Sequence, residues 1–277
     1  RIPSVSRWFY SIKANRNPEV LAQIERAGLG FECVSRGEMA YLFERFPGID
    51  PGRVLFTPNF AACPDYEEGF RRGVHVTVDN TYPIERWPEA FRSREIFLRV
   101  DPGEGRGHHK YVHTAGAKQK FGIWPSQLGE LAACIDAIGA RVVGLHAHVG
   151  SNIFTPDTWA GTAAFLAEIA GRFPHVRILD LGGGLGVVER PGQEPLDIAA
   201  VEEKLAETRG AFPQLELWME PGRFLVAEAG VLLARATQVK RKGEYTYIGA
   251  DAGMNALIRP ALYGAYHEIV NLSRLGE

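Results

Sequence analysis

Apolar and polar positions along this chain follow two alternating rhythms. Short β-branched or aromatic runs predict strands over 8–13, 28–35, 53–58, 74–79, 96–100, 142–150, 177–182 and 215–220. Between most of them apolar residues recur at three- and four-residue spacing, which predicts helices over 18–27, 36–46, 64–72, 82–91, 126–138, 158–173 and 200–212. Regular βα alternation means a parallel sheet, and eight units are the number that closes a (β/α)8 TIM barrel. An open doubly wound sheet has the same alternation and stands as the alternative.

Two stretches break the rhythm. Residues 101–120 form a long polar connection with Gly103, Gly105, Gly107, Gly116, His108, His109 and His113, placed where a barrel mouth would use a lid. After the eighth strand, 231–239 and 245–251 read as successive strands joined by the polar turn 240–244, with no crossover helix between them. The expected organisation is a barrel over 1–229 and the incomplete start of a C-terminal β domain over 230–277.

Composition narrows the class without naming a chemistry. The chain has 277 residues, 45% apolar and 23% charged, with a net charge of −2, so neither nucleic acid nor an anionic membrane is an expected partner. No apolar run approaches a membrane span, and Arg1-Ile2-Pro3-Ser4 is not a signal peptide, so the expected location is the cytoplasm. Cys33, Cys63 and Cys134 share no metal-ligand spacing and are expected to be reduced. The first residue is not methionine, which suggests a piece of something longer.

Candidate chemistry collects at the C-terminal strand ends, where a barrel places its active site. Lys13 ends the first strand, on the face of Phe9 and Ser11; an amine there shifts its pKa down or finds a partner, and a desolvated amine attacks carbonyls. Glu32 and Ser35 end the second strand, Asp79 the fourth, Arg99 and Asp101 the fifth, His146 and His148 the sixth, Gly182-Gly183-Gly184 the seventh, and Glu220 and Arg223 the eighth. The glycine run suits a phosphate approached by backbone N–H groups, with Ser151 and Arg223 in reach of the same anion. Glu220 reads as half of a structural ion pair or as the partner of a pyridinium nitrogen. His146 and His148 read as a metal pair, or as one packed histidine and one lying flat on an aromatic cofactor; the lysine on the first strand argues for the second.

Several segments, in order and across nearly the whole chain, resemble the fold-type III pyridoxal-phosphate decarboxylases. They are Tyr10-Ser11-Ile12-Lys13-Ala14-Asn15, Gly30-Phe31-Glu32-Cys33-Val34-Ser35-Arg36-Gly37-Glu38, Lys120-Phe121-Gly122, Gly144-Leu145-His146-Ala147-His148-Val149-Gly150-Ser151, Gly182-Gly183-Gly184, Glu220-Pro221-Gly222-Arg223 and Asp251-Ala252-Gly253-Met254-Asn255. Ile258 to Gly264 is similar to the diaminopimelate decarboxylase branch more than to the ornithine or arginine enzymes. Val54 to Phe60 faintly resembles the same enzyme fused to an aspartate kinase.

The resemblance implies an alanine racemase-like barrel with pyridoxal 5'-phosphate on Lys13 as a Schiff base. It implies His148 stacked on the ring, Glu220 on the ring nitrogen, and Ser151, Gly182, Gly183, Gly184, Gly222 and Arg223 around the phosphate. Arg259 and Tyr263, with Arg223, would hold substrate carboxylate. The implied reaction takes meso-diaminopimelate to L-lysine and CO2, the last step of lysine biosynthesis, in a homodimer. Decarboxylation of another basic amino acid or carboxylated polyamine, and a non-catalytic cofactor-binding barrel, are the alternatives. Glu32 stands where the family usually has aspartate. The family's Cys-Glu-Ser motif and a later phosphate-binding tyrosine, carried on a segment that completes the partner's site, do not occur in this sequence. Weak cofactor binding and poor turnover are therefore expected of residues 1–277 alone.

Overall fold

Eight short parallel strands close on themselves. The computed structural model describes residues 2–103, 116 and 119–275, so Gly105, Gly107, His108, His109 and His113 of the expected lid lie outside the described residues. The barrel strands are β1 (Val5–Ser11), β2 (Gly30–Cys33), β3 (Val54–Phe56), β4 (His75–Val78), β5 (Glu95–Arg99), β6 (Arg141–His146), β7 (Ile178–Asp180) and β8 (Glu216–Met219). Each pairs with the next and β8 returns to β1, so the sheet is a closed barrel and not the open alternative.

The connecting helices are α1 (Pro18–Arg26), α2 (Arg36–Arg45), α3 (Cys63–Arg72), α4 (Tyr82–Arg86), α5 (Pro88–Phe91), α6 (Leu128–Ala137), α7 (Asp157–Ala170) and α8 (Ile198–Ala211). Their starts are written locally. Asn17 accepts the N–H of Glu19 with Pro18 opening α1, and Ser35 accepts the N–H of Glu38 at 3.2 Å while Glu38 accepts that of Val34 at 2.7 Å. Ser35, expected among the site residues, is thus a helix cap. The helix expected over 82–91 is two, because Pro88 supplies no N–H and pushes Trp87 out of the helical region.

The floor of the barrel explains two glycines. Phe9, Leu55, Phe97, Val143, Ile178 and Trp218 form one buried cluster, with the Phe9, Phe97 and His75 rings each 5.0–5.4 or 5.6 Å from a neighbouring ring. A Cβ on Gly30 would lie 2.6 Å from the Phe9 ring, and one on Gly144 would lie 2.2 Å from that of Phe97. Helices pack the outer faces of the strands through a larger apolar cluster that includes Tyr10, Phe31, Phe56, Leu98, Leu145 and Leu179.

The chain divides into two units: Arg1–Gly186 with Leu196–Val226, and Val187–Pro195 with Ala227–Glu277. The first holds the barrel and α9 (Arg223–Val226). The second holds the antiparallel hairpin β9 (Ala236–Lys242) and β10 (Tyr245–Ala250), and α10 (Arg259–Tyr263). Residues 231–235, expected to open the first of these strands, are outside it. The turn is tighter than expected, since Lys242 pairs directly with Tyr245 across Gly243, whose φ of +60° suits glycine.

Candidate active site

Inside a barrel every second residue of a strand points to the axis. One step above the apolar floor, that position is Ser11 on β1, Glu32 on β2, Thr77 on β4, Arg99 on β5, His146 on β6 and Asp180 on β7; Thr57 and Glu220 follow β3 and β8 directly. All eight are buried, so the interior changes from apolar to polar at one height around the ring.

Lys13 is not on a strand. β1 stops at Ser11, and Ile12–Ala14 form one 3₁₀ turn. The end of β1 is tied to the segment after β8: Ser11 donates its hydroxyl to the Glu220 carbonyl at 3.1 Å and its N–H to the Pro221 carbonyl at 3.3 Å. A Cβ on Gly222 would lie 3.0 Å from the Ser11 side chain, so glycine permits this approach. Lys13 Nζ meets Glu32 Oε2 at 2.8 Å, and Glu32 Oε1 accepts the Thr57 hydroxyl. Protein atoms crowd the ammonium, which alone would lower its pKa, but the charges of Glu32 and then Glu220 outweigh that and raise it. The expected partner is present and the amine rests charged. Half of the Lys13 side chain (52%) remains accessible, against 1% for Glu32, so the amine can be reached from the mouth.

Glu220 lies in a buried acid cluster. Burial pushes its carboxyl up, but His146, at 3.4 Å, Lys13 and His148 overcome this and hold it at about 2. Asp180 beside it goes the other way, raised well above the carboxylate range by burial first and by Glu220 next. Its Oδ1 accepts the N–H of Gly182 at 2.9 Å, while its Oδ2 and Glu220 Oε1 have no donor. Two adjacent buried carboxyls do not both ionise, and the proton sits on Asp180. A carboxylate flanked by apolar residues in Ile178-Leu179-Asp180-Leu181 was the available sequence signal for it. His146, Asp180 and Glu220 bring one ligand atom each within 4.8 Å of one another, a grouping that does not include His148.

His148 lies beyond β6, two residues past the strand end and not on it as expected. Its Nδ1 accepts the N–H of Gly183 at 3.2 Å, which assigns the proton to Nε2. Burial, then Arg99 and Lys13, lower its pKa to about 3, so the imidazole is neutral at pH 7. Of the three glycines, Gly182 and Gly183 have thus given their N–H groups to Asp180 and His148, while the N–H of Gly184 has no partner among the described residues. What demands glycine here is closeness. A Cβ on Gly183 would be 2.3 Å from the Glu220 carbonyl oxygen, and one on Gly184 would be 2.5 Å from that of Gly150. Trp159 Nε1, buried on α7, holds the loop from behind by donating to the Gly183 carbonyl at 3.0 Å.

The remaining strand-end residues do local work. Asp79 accepts from Asn59, and Asp101 accepts the N–H groups of Gly103 and Gly116 at 2.8 and 2.9 Å, pinning both ends of the 101–120 connection. Ser151 is half-buried in the loop after β6 and Arg223 opens α9. Arg259 and Tyr263 bound α10 in the second unit, where Arg259 donates to Glu189 at 2.7 Å.

These residues fit pyridoxal phosphate. An ionised, buried carboxylate with an oxygen lacking a donor suits a protonated ring nitrogen, a neutral imidazole suits the ring face, and an accessible amine suits the aldehyde. The Gly184 N–H at a tightly packed loop suits an anion.

Residues 3–227 match the family described as pyridoxal-dependent decarboxylase, pyridoxal binding domain. The chain is 35% identical to diaminopimelate decarboxylase of Methanothermobacter thermautotrophicus over 96% of its own length and 64% of that protein's. It is likewise 35% identical to the enzyme of Deinococcus radiodurans, over 95% and 66%. The crystal structure of diaminopimelate decarboxylase from Helicobacter pylori complexed with L-lysine superposes with a TM-score of 0.87 at 25% identity, over 95% of this chain and 68% of that one. The chain therefore spans just under two thirds of the length of these two relatives. The lysine at the mouth of the barrel, the glycine loop and the buried carboxylate belong to a chain that is a member of the pyridoxal-dependent decarboxylase family.

Proposed function

We propose that this chain carries the cofactor-binding half of a diaminopimelate decarboxylase, which removes CO2 from meso-diaminopimelate to leave L-lysine. The observation that carries this reading is the accessible Lys13 amine beside a buried ionised Glu220, on a chain 35% identical to enzymes of that name. When bound, pyridoxal phosphate supplies an electron sink for the pair left on Cα as CO2 departs. Lys13 anchors it and hands its proton to the Glu32 side of the pocket. Glu220 keeps the ring nitrogen protonated. His148 presents a neutral ring face, fixed in tautomer by the Gly183 N–H. Ser151, the Gly184 N–H and Arg223 take the phosphate, with Gly182, Gly183 and Gly222 allowing the close backbone packing that shapes its loop. Arg259, Tyr263 and Arg223 take substrate carboxylate. The assembly is a cytoplasmic homodimer.

The test is the absorption spectrum of the purified full-length protein that contains this chain, in excess pyridoxal phosphate, with and without borohydride, beside its Lys13→Ala variant. A visible band that borohydride bleaches and Lys13→Ala lacks supports the reading. A band that survives Lys13→Ala, or no band in the unaltered full-length protein, overturns it. Substrate is tested separately: Arg259→Ala should raise KM for diaminopimelate far more than for ornithine or arginine, which have no second carboxylate.

A further inference from the structure

The guanidinium of Arg259, the proposed anchor of substrate carboxylate, is itself held from two sides by residues of the second unit. Arg259 opens α10, and the chain turns sharply at the far end of that helix. Gly264, with φ +60°, donates its N–H to the Pro260 carbonyl at 3.0 Å, and Ala265 donates to that of Arg259 at 3.4 Å. The turn brings His267 back beside the arginine. Arg259 Nη1 lies 3.3 Å from His267 Nε2; a guanidinium has no acceptor, so Nε2 accepts and the imidazole proton is on Nδ1.

Glu189 meets the same guanidinium from a separate segment, its Oε1 accepting from Nη2 at 2.7 Å. The backbone of that segment is fixed. Gln193 accepts the Glu189 N–H on its side-chain oxygen at 3.0 Å and donates its own N–H to the Arg190 carbonyl at 3.2 Å, closing a turn over Pro191 and Gly192. The neighbouring Arg190 lies over the Tyr266 ring, 5.6 Å from its centre, so the turn meets the α10 segment at two points. The side chains of Arg259 and Glu189 are 29% and 23% exposed. A pair at that depth adds little stability, but a guanidinium held at both terminal nitrogens keeps one orientation. Two of its five N–H donors are used in this way, which leaves three for a carboxylate.

We propose that Glu189 and His267 are positioning residues for Arg259, fixing its guanidinium in the orientation that receives the second carboxylate of the substrate; this rests on Arg259 being the anchor of that carboxylate. Glu189 also repels an incoming carboxylate, but solvent and salt screen that repulsion at these exposures, whereas an unheld arginine side chain must be ordered at every encounter. Orientation therefore dominates, and an uncharged acceptor at either position preserves it.

The test uses the full-length protein that contains this chain, loaded with pyridoxal phosphate. Three quantities are measured: kcat and KM for meso-diaminopimelate, the Kd of the unreactive dicarboxylate pimelate by calorimetry, and inhibition by cadaverine, a diamine with no carboxylate. Glu189→Ala and His267→Phe each raise KM and the pimelate Kd about three- to tenfold, with kcat and cadaverine inhibition unchanged. Glu189→Gln and His267→Gln, which keep an acceptor, stay near the unaltered values. Equal losses for cadaverine and the dicarboxylates, a fall in kcat with KM unchanged, or no rescue by the glutamines overturns the proposal, since each marks a general structural role. Arg259→Ala separates the two readings. Native KM and pimelate Kd in Arg259→Ala, or no turnover of diaminopimelate by the unaltered protein, overturns the substrate reading and the proposal with it. A rise in Arg259→Ala beside native values in Glu189→Ala and His267→Phe overturns the proposal alone. If one of these two variants fails to fold, the other decides on the same criteria; failure of both overturns the proposal, because the contacts are then structural.

Discussion

Replacing Asp180 by asparagine should make the barrel progressively more stable than the native chain as pH rises. Asp180 is fully buried against Glu220, with Oδ1 on the Gly182 N–H at 2.9 Å and Oδ2 without a donor. Burial and the Glu220 charge raise its folded pKa well above the carboxylate range, so the folded chain keeps a proton that the unfolded chain releases. Between the unfolded pKa, about 3.9, and the raised folded value, the unfolded state binds fewer protons, and stability falls by about 1.4 kcal/mol for each pH unit. The contribution is complete below the unfolded pKa and lost as pH climbs toward the folded one.

An amide has the shape of the protonated acid, accepts from Gly182 through its oxygen and donates to Glu220 through its nitrogen, but cannot ionise. In urea denaturation at pH 5 and pH 6, the difference between Asp180→Asn and the native chain should therefore move in the variant's favour, by at most about 1.4 kcal/mol. Asp180→Ala shares the lost slope but leaves the Gly182 N–H without its acceptor, so it should be less stable than Asp180→Asn at both values. A pH-independent difference, or one that moves against the amide, would refute the assignment of the proton to Asp180.

Three further outcomes follow from the geometry. Gly144→Ala should lower stability by about 1–3 kcal/mol, measured by urea denaturation, because its Cβ would lie 2.2 Å from the Phe97 ring in a floor with no free space. Trp159→Phe should cost about 1–3 kcal/mol in the same assay by leaving the buried Gly183 carbonyl without its donor. Glu32→Gln removes the charge that chiefly raises the Lys13 pKa against burial, so capture of the amine by pyridoxal phosphate and borohydride should begin at lower pH than in the native chain; an unchanged or higher midpoint would contradict the Lys13–Glu32 pairing.

The chain reports its fold well because a barrel repeats one local rule. Each strand is a largely apolar run with an inward polar residue at or next to its C-terminal end, and Glu32, Arg99, His146, Asp180 and Glu220 stand at that level. The errors came where a turn imitates a strand. Ile12 is buried like a strand residue, so alternation runs on through it although the backbone has already turned and Lys13 sits in a 3₁₀ turn. Val149, buried beyond β6, extended that strand past His148 in the same way. The glycines misled differently: a Gly-Gly-Gly run looks like three donors for an anion, but two of its N–H groups serve Asp180 and His148, and Gly183 is there because the Glu220 carbonyl passes so close. Such pairings depend on the stagger between strands, which no single strand encodes. Alternation can place Lys13, Glu32, His146 and Glu220 at one end of the barrel; that Lys13 meets Glu32, and that His146 meets Glu220 while His148 meets Gly183, follows only once the register of all eight strands is closed.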